Sequence, residues 1–204
     1  IIDKEKNWIG FCQYRKHWIS KRNSQEFNTV SELNKILVKK IDNSNDEFES
    51  ILGHEIYVNQ FRFSKFIKKN LKTMLFEPSL IFNKNKRTIK FHFDMMHGKG
   101  NLDKAIDYLD KNEQGDFKKF VNSEVSFNPH NMFICKSYKI LDKYYSSLFP
   151  WLERCEKLFG FDLDGYGLKR IYGFLAERYM SYWFKKYTKF TTLPILFRDV
   201  SDLN

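Results

Sequence analysis

Cysteine, proline and glycine are all scarce in this chain. Its three cysteines, Cys12, Cys135 and Cys155, are widely separated and odd in number. That excludes a disulfide framework, and no pair has the spacing of a zinc knuckle. Apolar neighbours make buried, reduced thiols in a cytoplasmic protein the expectation. The four prolines and nine glycines build no internal repeat and no low-complexity stretch. No uninterrupted apolar run approaches the roughly 20 residues that a bilayer-crossing helix needs. A signal peptide and an initiator Met are both missing. The opening "IIDKEKNWIGF" starts as if inside a strand, so an N-terminal portion is expected to precede it. Walker loops, Gly-rich dinucleotide fingerprints, His-Glu-x-x-His and nucleophile elbows are absent too, which removes the commonest nucleotide, zinc-protease and hydrolase classes.

A hydrophobic share of 42% is enough for a real core, and 204 residues fit one domain, with or without an insertion. Aromatics reach 18%, led by 21 Phe and 11 Tyr, so ring packing should dominate that core. Lys and Arg outnumber Asp and Glu 35 to 25, a formal net charge of +10. Such a surface attracts nucleic acid, an acidic membrane face or phosphorylated metabolites, unless the charge is simply spread over solvated faces.

Along the chain, "NWIGFCQY" (7–14) reads as a buried strand running into the polar cluster "QYRKHW". Residues 21–50 read as a surface loop or insertion, and "HEIYVNQFRF" as another strand. "KFIKKNLKTMLFEP" has helical spacing and stops at Pro78. In "KRTIKFHFDMMHGKG", Thr88, Lys90 and His92 alternate with Ile89, Phe91 and Phe93, the pattern of a half-buried strand. "NLDKAIDYLDKN" predicts a helix capped by Asn101, with a short helix around 117–121 after it. "MFIC" (132–135) predicts a strand, and 137–187 a helical C-terminal part broken or kinked near Pro150. "LPILF" closes as a short strand. Alternating strands and helices predict an α/β fold.

Three groups of residues carry chemistry. "HFDMMH" places His92, Asp94 and His97 within six residues, as metal ligands, a carboxylate base beside a His, or hydrogen-bonded residues at a strand end. "QYRKHW" presents Gln13, Tyr14, Arg15 and Lys16 where a strand ends, the usual ligand position in open α/β sheets, and an Arg there can fork onto a phosphate. In the strongest helix, Arg170, Phe174, Glu177 and Ser181 share a stripe, and Glu177 stands beside Arg178 in apolar company, as a structural pair or as an acid/base. "YWFKKYTKF" interleaves aromatic and basic residues, which fits core packing, sugar stacking or a nucleic-acid surface.

In order, "WIGFCQYRKHW", "FDMMH", "NPHNMFIC", "LFPWLERCE" and "RIYGFLAERYMSYWF" resemble a bacterial family of capsular and extracellular polysaccharide glycosyltransferases, long listed as a domain of unknown function. The resemblance spans about residues 7–187. Its His-Tyr-Arg-Arg motif reads Gln13-Tyr14-Arg15-Lys16 here, with Gln for His and Lys for the second Arg. Its lone His corresponds to His97. Asn131-Met132-Phe133-Ile134 and Gly173-Phe174-Leu175-Ala176-Glu177-Arg178 match its other two motifs.

The resemblance implies one glycosyltransferase domain over 1–204, with a glycosyltransferase A-like mixed sheet flanked by helices. It implies transfer of a sugar from a nucleotide-diphosphate sugar to a growing surface glycan, on a lipid-linked or glycan acceptor. The enzyme would be cytoplasmic and peripheral on the anionic inner leaflet, with no nucleic-acid partner. Arg15, with Gln13, Tyr14, Lys16 and Arg178, would bind the diphosphate. The chain is read as having no Asp-x-Asp, and a cationic Tyr-Arg-Lys stands where such enzymes place one, so no metal and no other cofactor is expected, with manganese or magnesium the open alternative. His92, His97, Asn128, His130 and Asn131 would meet the sugars. Glu177, whose apolar setting could raise its pKa, or Asp94 would serve as base. A non-catalytic basic module binding nucleic acid or anionic glycan is the competing reading, and a hydrolase with a metal on His92, Asp94 and His97 a third.

Overall fold

The computed structural model describes residues 8–20, 29–41, 47–60, 83–199 and 201. The helix expected in "KFIKKNLKTMLFEP" lies outside the described residues. The strands are β1 (Ile9–Gly10), β2 (Lys16–Trp18), β3 (Ser50–Gly53), β4 (Ile56–Tyr57), β5 (Ser126–Phe127), β6 (Phe133–Cys135), β7 (Phe190–Leu193) and β8 (Ile195–Phe197). The α-helices are α1 (Val30–Ile36), α2 (Ile89–His97), α3 (Asn101–Asp107), α4 (Lys111–Ser123), α5 (Tyr138–Phe159), α6 (Tyr166–Lys169) and α7 (Ile171–Tyr187). The chain divides into two compact units.

The first unit comprises Ile1–His54, Asn128–Tyr145 and Trp183–Asn204. Its sheet has the order β1-β6-β3-β7. β6 runs antiparallel to β1 and β3, while β3 runs parallel to β7, so the sheet is mixed. Successive side chains of a strand point to opposite faces, and β6 buries both. Met132 and Ile134 join Trp18 and Ile51 in one apolar cluster. Phe133 turns the other way, its ring 4.6 Å from Phe184 and 5.2 Å from Tyr144, residues of α7 and α5. β2 pairs antiparallel with β8 beside this sheet.

The second unit comprises Glu55–Phe127 and Ser146–Tyr182. It is mainly helical, with β4 and β5 as an antiparallel pair. Rings fill its core. Phe117 lies 5.9 Å from Trp151, 5.4 Å from Tyr179 and 5.1 Å from Tyr182. Each polar handle buried with them has a partner. Trp151 Nε1 donates to the Ala105 carbonyl at 2.7 Å, and the Tyr182 hydroxyl donates to Glu113 at 2.7 Å.

Several expectations need correction. "TIKFHFDMMH" forms α2, not a strand. Thr88 accepts the Phe91 amide as N-cap, and Ile89, His92, Phe93 and His97 bury one helical face. Residues 30–36 of the expected loop form α1, capped by Thr29. "NWIGFCQY" contributes only two strand residues, and Cys12 is exposed rather than buried. The helix α5 continues through Pro150.

Candidate functional site

In the first unit, β1 leads into the turn Gln13–Lys16, closed by the Lys16 amide donating to the Gln13 carbonyl at 3.0 Å. Arg15 takes a left-handed backbone there, with φ of 64°, unusual for a residue with a Cβ. Its guanidinium lies 4.5 Å over the Tyr14 ring, donates to the Tyr14 hydroxyl at 3.1 Å and pairs with Asp199 at 2.7 Å. Bonds from the Ser201 hydroxyl and amide, then the Arg15 charge, hold the Asp199 carboxyl below its ordinary range. The Arg15 side chain keeps 44% of its exposure. Lys16 Nζ donates to Gln13 Oε1 at 2.8 Å. The turn therefore carries an oriented, solvent-reachable guanidinium.

The second turn of this unit, Asn128–Asn131, enters β6. Asn128 is fully buried and donates from Nδ2 to the Gly53 carbonyl at 2.6 Å, so its amide joins this turn to β3. His130 and Asn131 both have positive φ, 81° and 50°. Asn tolerates that region better than most residues, which accounts for Asn131 two positions before β6. The polar run ahead of "MFIC" thus divides into an anchor, Asn128, and two half-buried turn residues.

In the second unit, α2 and α7 bring His92, Glu177 and Arg178 together. Arg178 is 2% exposed, and its guanidinium donates to Glu177 Oε2 at 2.5 Å. It also lies 3.3 Å from His92 Nδ1 and 4.3 Å over the Phe127 ring. An arginine only donates, so Nδ1 accepts and the ring proton sits on Nε2. Burial, then the charges of Arg178 and His97, push the His92 pKa down to about 3 and keep the ring neutral. Burial lowers Arg178 to about 10 against the pull of Glu177, so it stays charged at neutral pH. His97, 3% exposed, stacks on Phe174 at 4.0 Å, and its Nδ1 bonds the Gly167 carbonyl at 3.1 Å. A carbonyl only accepts, so Nδ1 carries the proton.

This geometry gives five of the expected site residues surroundings that their sequence context did not suggest. Arg178 is enclosed and spends its charge on Glu177 and His92 rather than facing solvent as a diphosphate ligand. Both His92 and His97 are buried in bonds to this unit's own groups, not presented to a sugar. Glu177 has an ion-pair partner, not a purely apolar setting, and keeps 13% of its side-chain exposure. Asp94 sits on the other side of α2, pairing with Lys90 at 2.7 Å and accepting the Gly100 amide at 3.1 Å. Burial opposes the charge on Lys90, but its bonds to Asp103 and Asp94 outweigh it and raise its pKa. Hence His92, Asp94 and His97 do not converge. Among the described residues, no three His, Cys, Asp or Glu side chains gather as a metal site would need.

The expected absence of an Asp-x-Asp needs correction. Asp162-Leu163-Asp164, an Asp-x-Asp, stands after α5 rather than after the first strand, with both carboxylates exposed. Phe161 and Tyr166 beside it carried no periodic signal.

The fold is that of a glycosyltransferase structure. A solved structure titled "WbbM bifunctional glycosytransferase apo structure" superposes over 94% of this chain with a TM-score of 0.59 at 20% identity. The match covers 33% of that chain, so this one spans about a third of its neighbour's length. The family described as "Domain of unknown function (DUF4422)" matches residues 3–189, and the chain belongs to it. No curated protein matches. Among the described residues, no helix is long and apolar enough to cross a membrane.

Proposed function

We propose that this chain is a glycosyltransferase domain that moves a sugar from a nucleotide-diphosphate donor to a growing capsular or surface glycan. The likeness of 94% of the chain to a bifunctional glycosyltransferase is the observation that carries this reading. Membership of a family described only as of unknown function leaves donor and acceptor to the chain's own residues.

In this reading Arg15 meets the donor diphosphate. Tyr14 and Asp199 hold its guanidinium in place while leaving it open to solvent, and Gln13 keeps Lys16 beside it. Displacement breaks the bond from the anomeric carbon to the phosphate oxygen and leaves the electron pair on the diphosphate. Cationic donors already in position stabilise that charge without reorganising. The acceptor hydroxyl forms the new bond, and Glu177 takes its proton, held in place by Arg178. His130 and Asn131 offer donors and acceptors to the sugar, while Asn128 holds their turn against β3. The protein works in the cytoplasm, peripheral to the anionic inner leaflet, without a required metal.

The test is a thermal-shift screen against nucleotide diphosphates and their sugars, with EDTA or with manganese. Stabilisation by one base that survives EDTA and is lost in Arg15→Ala is the expected result. Stabilisation only with manganese would keep the transferase but sink Arg15 as the group that replaces a metal. Failure of every nucleotide, with and without manganese, would sink donor binding by this chain. In turnover, Glu177→Gln should abolish transfer while Asp94→Asn retains it, and the reverse would exchange their roles.

A further inference from the structure

The segment from Phe161 to Arg170, between α5 and α7, presents two large aromatic rings to water. Phe161 is 76% exposed and Tyr166 69%. Neither dangles. The Phe161 ring packs edge-on at 5.7 Å against Tyr172, whose hydroxyl is tied to the Gly160 carbonyl. Tyr166 bears the Arg170 guanidinium 5.1 Å over its ring, bonded also to its hydroxyl, and has Phe174 at 6.2 Å. Each ring is thus held by neighbours and still exposes most of its surface to water.

The segment is also tied down on the Tyr166 side. His97 Nδ1 bonds the Gly167 carbonyl, and a Cβ at Gly167 would overlap the Met96 carbonyl oxygen. Only glycine lets α6 approach α2 this closely. The lone His of the sequence motif, buried as it is, therefore acts as a positioning residue for the exposed segment. Phe174 joins the two regions, stacked on His97 on one side and near Tyr166 on the other.

We propose that Phe161 and Tyr166 form a subsite for the acceptor glycan, an inference that rests on the transferase reading. A pyranose offers an apolar face of C–H bonds rimmed by hydroxyls. Rigid open rings match that face, and the carboxylates of Asp162 and Asp164 with the Arg170 guanidinium match the rim. Charge separates this ligand from a lipid surface. The segment sets Asp162 and Asp164 against Lys169 and Arg170, leaving no net charge. Exposed carboxylates beside the rings oppose insertion into an anionic leaflet, which favours basic neighbours.

The experiment is saturation-transfer NMR on the whole chain with a panel of glucose-, galactose- and N-acetylglucosamine-containing trisaccharides, alongside the nucleotide thermal shift. Wild type should transfer saturation to the C–H protons of at least one trisaccharide. Phe161→Ala and Tyr166→Ala should remove most of that signal, and Tyr166→Trp should keep it. Because both rings are largely exposed, melting temperature should stay within about 2 °C. With a trisaccharide as acceptor, KM should rise at least ~10-fold in Tyr166→Ala, with kcat and donor KM within about twofold. No transfer to any trisaccharide in wild type, or equal transfer in the Ala variants, overturns the subsite. So does loss of binding to phosphatidylglycerol vesicles, or of the nucleotide shift, in place of sugar binding. Sugar binding without any nucleotide shift would instead sink the transferase reading and leave the platform standing.

Discussion

The buried cation of α7 gives the sharpest quantitative test. Replacing Arg178 with Met keeps much of the volume but removes the bond to Glu177 at 2.5 Å, the contact with His92 and the guanidinium over Phe127. Breaking one partner of a buried ion pair costs about 3–5 kcal/mol, because the other charge stays desolvated. Glu177 keeps 13% of its side-chain exposure, so some solvation survives and the lower end applies. A lost cation–π contact adds about 1 kcal/mol, which the better burial of Met partly offsets. We expect about 3 kcal/mol in all, a fall of roughly 6–12 °C in melting temperature for a chain of this length. Differential scanning calorimetry on Arg178→Met, Glu177→Gln and the double variant measures it. The double variant should recover about 1–2 kcal/mol relative to the sum of the singles, since no charge is then stranded. A fall below about 2 °C, or strict additivity, would show that the Glu177–Arg178 ion pair does not stabilise the fold.

Three further outcomes follow. His92 titrates near 3 in the fold and near 6.5 when unfolded, so over that window the unfolded chain binds the proton. Stability should fall as pH drops from 6.5 towards 3, by up to ~1.4 kcal/mol per pH unit, and urea midpoints of His92→Gln should be flatter, whereas equal slopes would refute this. Gly167→Ala should cost about 1–3 kcal/mol, because its Cβ meets the Met96 backbone oxygen, and an unchanged melting temperature would refute the tight α2–α6 approach. An aromatic disulfide reagent should titrate Cys12 alone in the native chain, since Cys12 is exposed while burial pushes Cys135 up to about 11 and Cys155 up to about 12. Rapid reaction of all three thiols would contradict that burial.

The α/β class and the long helices were legible because their signals extend over many residues. The stripe from Ile140 to Leu148 belongs to α5, and "RIYGFLAERYMSYWF" to α7. The "MFIC" strand was legible from its continuous apolar run. α2 was not, since Ile89, Phe91 and Phe93 satisfy a period of two as well as they satisfy a helix. Its decisive signals were the Thr88 cap and the wider spacing that adds His97 to Phe93. The candidate site was legible in its residue types but not in their orientation. Arg178 and both histidines look exposed in a list of polar residues, and only packing shows that they face one another or their own backbone. Arg15, by contrast, stands in an accessible turn, as a polar cluster at a strand end led one to expect.

The placement of β3 has a consequence for biosynthesis. This strand lies between β6 and β7, and the Lys189 amide beside it donates to Glu49, 140 residues earlier. Pairings so distant in sequence are slow to form, because the intervening chain must close a long loop first. During translation Ile51 and Leu52 emerge well before β7, the partner that covers their far edge. The strands of the second unit are complete by Phe127, and its last segment ends at Tyr182, before β7 emerges. The helical unit can therefore consolidate while the sheet still has an open edge. Until β7 pairs, β3 offers unpaired amides and apolar side chains to any passing chain.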